Sequence, residues 1–65
     1  MNKNELKARI VAKGMTHAEV ALAIGMSLST FSRKMKKGNF GLIEAERLID
    51  VLEIKNPNEI FFVGK

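Results

Sequence analysis

Residues 16–38, THAEVALAIGMSLSTFSRKMKKG, hold two short helical patterns on either side of a single glycine, and every charge in the second pattern is positive. Thr16 followed three residues later by Glu19 is a capping box, so a helix opens there. Val20 and Ile24, four apart, mark its inward face. Gly25 reaches the left-handed conformation that costs other residues about 1 kcal/mol or more, and it ends the helix. Ser27 caps a second helix with Phe31 and Met35 on its buried stripe, and Gly38 stops it. Ala21 is small where the two helices must cross steeply. The stretch therefore reads as a helix-turn-helix, with helix 2 before Gly25 and helix 3 after it.

Outward from this pair, Asn4 is a candidate cap for a first helix with Leu6, Ile10 and Val11 at helical spacing and Gly14 as its stop. Lys3, Lys7 and Lys13 fall on its other face. After Asn39-Phe40-Gly41, the stretch LIEAERLIDVLEI places Leu42, Ala45, Leu48, Ile49 and Leu52 on one side of a fourth helix. Glu44, Glu46, Arg47, Asp50 and Glu53 fall on the other side. Asn56-Pro57 suits the start of a short fifth turn through Ile60, Phe61 and Phe62, with Glu59 near a capping-box position. The β-prone run IFFV is four residues long and follows a helix start directly, so no strand is expected. The fold expected is all-α: a compact five-helix bundle forming one domain over residues 1–65.

A chain of 65 residues without cysteine and with one histidine has neither a disulfide nor a zinc cluster to hold it. Its hydrophobic share of 46% must supply the core. The scattered methionines, Met1, Met15, Met26 and Met35, suit gap-filling. The formal charge is +4, the pI is about 9.8, and the distribution of charge says more than its sum. Residues 1–19 carry four basic and two acidic side chains, residues 20–43 four basic and none acidic, and residues 44–59 two basic and five acidic. A positive face and a negative end follow. No apolar run approaches the roughly 20 residues of a membrane span, and Met1–Gly14 lacks the apolar stretch of a signal peptide. The expectation is a cytoplasmic protein with no membrane partner.

No nucleophile elbow, glycine-rich phosphate loop or histidine–carboxylate pair is present, which argues against an enzyme, a cofactor, a metal or a small-molecule substrate. Residues 16–38 resemble the helix-turn-helix of lambdoid phage Cro proteins and repressor N-terminal domains, the broad Xre-type family. The matching positions are Thr16, Ala18, Glu19, Val20, Ala21, Ile24, Gly25, Ser27, Thr30 and Phe31, while LIEAERLIDVLEI and NPNEIFF are similar to the family's fourth helix and closing turn. One departure is that Phe31 pairs with Met35, four residues on, where many members place the partner three on.

The resemblance implies operator binding, usually as a symmetric dimer, with base contacts from Leu28, Ser29, Ser32 and Arg33 near the start of helix 3. Arg33 suits a bidentate contact to guanine, and Ser29 and Ser32 donate to several bases. Leu28 is either an apolar contact for a thymine methyl or a core residue. Phosphate contacts are expected from Thr16 and His17 at the start of helix 2, from Ser27 and Thr30, and from Lys34, Lys36, Lys37 and Asn39 toward the end of helix 3. Ile60, Phe61, Phe62 and Val63 form a candidate patch for a weak homodimer completed on double-stranded DNA. The alternative is a protein-interaction module of the same fold that uses the acidic fourth helix.

Overall fold

Asn2, Thr16 and Ser27 each turn a side-chain oxygen onto the backbone N–H three residues ahead, and a helix follows each one: α1 (Lys3–Ala12), α2 (His17–Ala23) and α3 (Leu28–Lys37). These belong to a computed structural model that describes residues 1–61. Glu44 reaches back to the Gly41 N–H at the start of α4 (Leu42–Leu52), and a single turn, α5 (Asn58–Phe61), closes the molecule. Helices joined by short turns are the only regular elements among the described residues, and α2 packs against α3 as a helix-turn-helix pair.

The first helix is capped by Asn2, two residues before the expected Asn4. The Asn2 N–H donates to the Ile60 carbonyl at 2.7 Å, holding Asn2 in extended backbone, and the Asn2 side chain accepts from the Glu5 N–H. The tie to α5, which no local pattern announces, decides between two equally competent caps.

Leu6, Ile10, Val20, Ala21, Ile24, Phe31, Met35, Leu48, Leu52, Ile54 and Ile60 form one core, with Phe31 fully enclosed. The Phe31 ring centre lies 5.5 Å from that of Phe40 and 5.7 Å from that of His17, the latter pair in a T-shaped arrangement. Met1, Met15 and Met26 pack against the core's margin, as gap-fillers do. Two expected core positions lie outside it. Val11 is 74% exposed and Leu42 is 68% exposed. At about 100° per residue, Val11 stands roughly 140° from Leu6 around the helix, whereas Ile10 stands only about 40° away. Leu42 opens α4 at the edge of the stripe set by Ala45, Leu48 and Leu52.

All four long helices stop in the same way. At the end of α2 the Met26 N–H bonds to the Ala21 carbonyl and the Gly25 N–H to the Leu22 carbonyl, a Schellman pair. The equivalent pairs occur at Gly14, Gly38 and Glu53. The first two positions are glycine, but Glu53 adopts φ +53° with a side chain attached, a strained stop that sequence alone gave no reason to expect.

Gly25 carries an additional constraint. It sits at φ +82°, and a Cβ there would lie 3.2 Å from Arg47 Nη1, the atom that donates to the Ile24 carbonyl at 3.1 Å. At Gly14, φ is +72° and nothing lies within 4 Å of a Cβ. Gly14→Ala is expected to cost about 1 kcal/mol through its backbone alone. Gly25→Ala should lower the melting temperature further because it also displaces Arg47, and Gly25→Val further still. Thermal melts of the three variants check this ranking, and equal shifts at Gly14 and Gly25 would contradict the clamp.

Candidate nucleic-acid interface

The core direction of α3 is set by Phe31 and Met35. Advancing about 100° per residue, Arg33 lies diametrically opposite that direction, flanked by Ser29 and Lys37. All three are exposed. Two borders adjoin this ridge. Ser32 and Lys36 face α1 and the start of α2, and Thr30 and Lys34 lie on the opposite border, where Lys34 meets α4.

Leu28, left open between surface and core, is 47% exposed beside Ser29. Ser32 and Arg33 are exposed as well, so the four expected base-contacting residues occupy one accessible stretch of α3. The small hydroxyls have prior engagements. Ser27 Oγ accepts from the Thr30 N–H at 3.2 Å and donates to Thr30 Oγ1 at 3.0 Å. Thr16 Oγ1 accepts from the Glu19 N–H at 3.1 Å. An accepting hydroxyl retains its own proton, so Thr16 and Thr30 still have a donor to offer, while Ser27 is committed within the cap.

His17 is half-buried, its ring held edge-on against Phe31. Lys36, Lys37 and Asn39 are exposed at the end of α3, where cations also favour the negative end of the helix dipole.

Lys34 differs from the other α3 lysines. Its Nζ donates to Glu44 Oε2 at 2.6 Å while Glu44 Oε1 accepts from the Gly41 N–H at 2.8 Å. One carboxylate thus caps α4 and neutralises a cation that was expected to face phosphate. The α4 border of the ridge is electrically quiet, and the α1 border is not. There, Lys3 Nζ donates to the Lys36 carbonyl at 2.8 Å, and Lys7 and His17 line the same cleft.

Lys3, Lys7, Glu44 and Arg47 are the residues of this region that the sequence pattern left as solvated helix faces. The i,i+4 spacing of Lys3 and Lys7 was visible. Their approach to α3 depends on tertiary packing.

The expected dimer patch is corrected in part. Ile60 is fully buried in the protein's own core, so it has no face for a partner. Phe61 is half-buried and lines a hollow of about 230 Å³ with Met1, Phe40, Leu42 and Ala45. Phe62 and Val63 lie outside the described residues. No helix among the described residues is long and apolar enough to cross a membrane. Comparison with protein-family models, curated proteins and solved structures yields no match.

The Lys34 hydrogen bond, then the Gly41 N–H, holds the Glu44 carboxyl below its usual value. Lys13, hydrogen-bonded to Glu53 at 2.6 Å, lowers the Glu53 carboxyl in the same direction. A carboxylate with a depressed folded-state value contributes stability above its unfolded value, about pH 4.3 for glutamate, and that contribution is lost as pH falls through the folded value. The wild-type melting temperature should therefore fall from about pH 5 to pH 3. Glu44→Gln keeps an acceptor for Gly41 but cannot titrate, so its melting temperature should fall less over that window. Parallel curves for the two proteins would contradict the assigned role of Glu44.

Proposed function

We propose that the protein is a sequence-specific regulator of transcription that binds double-stranded DNA, similar in kind to a small Cro-type phage repressor, with α3 set in the major groove. The observation that carries this reading is the position of Arg33. It projects from the ridge of α3 directly away from Phe31 and Met35, on a helix packed against α2, with Ser29 and Ser32 beside it. A rigid guanidinium fork on an exposed ridge suits the O6 and N7 acceptors of guanine. Lys36, Lys37 and Asn39, beyond it along the helix, suit the phosphates that fix docking before bases are read.

One such module offers few base contacts, and two improve discrimination against competing genomic sites. The proposal therefore includes a two-fold pair on the operator, its recognition helices about 34–36 Å apart. With Ile60 withdrawn into the core, Phe61 and its apolar hollow provide the described part of the pairing surface. A second reading, a protein-interaction module, draws on Leu42 and Ile43, which are 68% and 64% exposed at the start of acidic α4. Failure to bind duplex DNA together with capture of a cationic protein partner would favour it. The proposed setting is the cytoplasm of a bacterial host.

Arg33→Ala is expected to weaken binding to the preferred operator, obtained by selection from random duplexes, by about 1–3 kcal/mol and to relax base choice at one position per half-site. Lys37→Ala should weaken specific and random duplexes alike and make the salt dependence shallower by about one unit of slope. Titrations of both variants on both duplexes check this. Equal losses on the two duplexes for Arg33→Ala would remove it as a base reader. Titration of wild type on the full operator should reach two chains per duplex with cooperative binding, and a one-to-one complex would overturn the dimer.

A further inference from the structure

The cleft between α1, the start of α2 and α3 has a volume of about 410 Å³ and is lined by Lys3, Asn4, Lys7, His17, Ser32 and Lys36, with buried Met35 behind them. Three ammonium-bearing side chains and an imidazole surround it, and no carboxylate is among its lining residues. Its walls are positioned. The Lys3 Nζ to Lys36 carbonyl bond ties the first turn of α1 to the last turn of α3. His17 is braced edge-on against Phe31. Lys7 lies one turn beyond Lys3 on the same face of α1.

Cations gathered without a carboxylate repel one another, and an anion placed among them removes that repulsion while gaining attraction to each. Ser32 and Lys36 form the border between this cleft and the α3 ridge, so an anion seated here adjoins whatever the ridge touches. We propose that the cleft receives a phosphodiester of the bound duplex, so that the DNA footprint extends from α3 onto α1 and not across α4. This rests on the DNA-binding reading above. Lys7 supplies the charge on the α1 wall and Lys36 that on the α3 wall, with Ser32 Oγ as a neutral donor. On the other flank Lys34 is held by Glu44 and contributes little to phosphate binding.

The test is the salt dependence of affinity for a mixed-sequence duplex, followed by fluorescence anisotropy for wild type, Lys7→Ala and Lys34→Ala, with a thermal melt of each. Lys7 is exposed, and alanine preserves helix propensity, so Lys7→Ala should melt like wild type. One lost phosphate contact should make the slope of log affinity against log salt shallower by about 0.9, an affinity loss of about eightfold at 0.1 M salt. Lys34→Ala bares the Glu44 carboxylate and so lowers affinity, but it removes no phosphate contact and should keep a slope close to that of wild type. A wild-type slope for Lys7→Ala, or a slope for Lys34→Ala as shallow as that expected of Lys7→Ala, overturns the proposal while leaving the DNA-binding reading intact. Wild type without salt-dependent duplex binding overturns that reading and the proposal together. If inorganic phosphate raises the melting temperature of wild type but not of Lys7→Ala while their duplex slopes coincide, the cleft is a site for free phosphate and the duplex proposal fails.

Discussion

The angle at which α3 leaves α2 depends on the turn at Ile24-Gly25-Met26. Gly25 at φ +82° reverses the backbone, the Met26 and Gly25 N–H groups satisfy the Ala21 and Leu22 carbonyls, and Arg47 from α4 donates to the Ile24 carbonyl. These contacts join three helices at one corner. Phe31 is fully enclosed because α3 departs at this angle, and the ridge opposite Phe31 becomes the face presented outward. A rotation of α3 by one residue would turn Arg33 toward a border and put Ser32 or Lys34 on the ridge. The same turn thus governs both the core and the exposed chemistry. It is secured from α4, so the helix-turn-helix relies on the rest of the bundle for its geometry.

Gly14, Gly25 and Gly38, the capping box at Thr16 and Glu19, and the Ser27 cap were legible because each expresses a local rule within six residues. Long-range choices were not. Asn2 displaces Asn4 as the cap of α1 through a bond to Ile60, more than fifty residues away. Glu53 ends α4 in a conformation that glycine normally supplies, and Ile54 bonds back to Ile49 to complete the stop. On α3 the exposed stripe followed from the positions of Phe31 and Met35. Charge was legible as a list of residues and illegible as a field, because Glu44 lies ten residues beyond Lys34 and Lys7 lies nearly thirty residues before Lys36. Only packing shows that the first pair neutralises a flank and that the second enriches one.

That asymmetry bears on how a polyanion would approach. At physiological salt an exposed charge acts over a Debye length of about 8 Å, so the local arrangement of ion pairs matters more than the net charge. With Lys34 held against Glu44 and Lys13 against Glu53, the cations left to act outward are concentrated on the α3 ridge and its α1 border. The acidic side chains Glu46 and Asp50 stand exposed on α4. Under the proposed DNA-binding reading, a duplex drawn toward the first surface would be repelled by the second, which would restrict the orientations in which it could dock.

The crowding of Arg33, Lys34, Lys36 and Lys37 on α3 carries a conformational cost, since like charges three or four residues apart destabilise a helix by a few tenths of a kcal/mol per pair. The structure offsets this in three places. Lys34, Lys36 and Lys37 sit in the last turn, where they meet the negative end of the dipole. Glu44 removes one cation from the repulsive set, and Lys3 donates to the exposed Lys36 carbonyl, satisfying a C-terminal acceptor of the helix. Lys3 also adds positive charge beside Lys36 by this bond. Part of the repulsion therefore remains on the α1 side after folding, and a phosphate bound there would relieve it. The charge that folding leaves uncompensated on α3 is the charge that an anionic ligand can use.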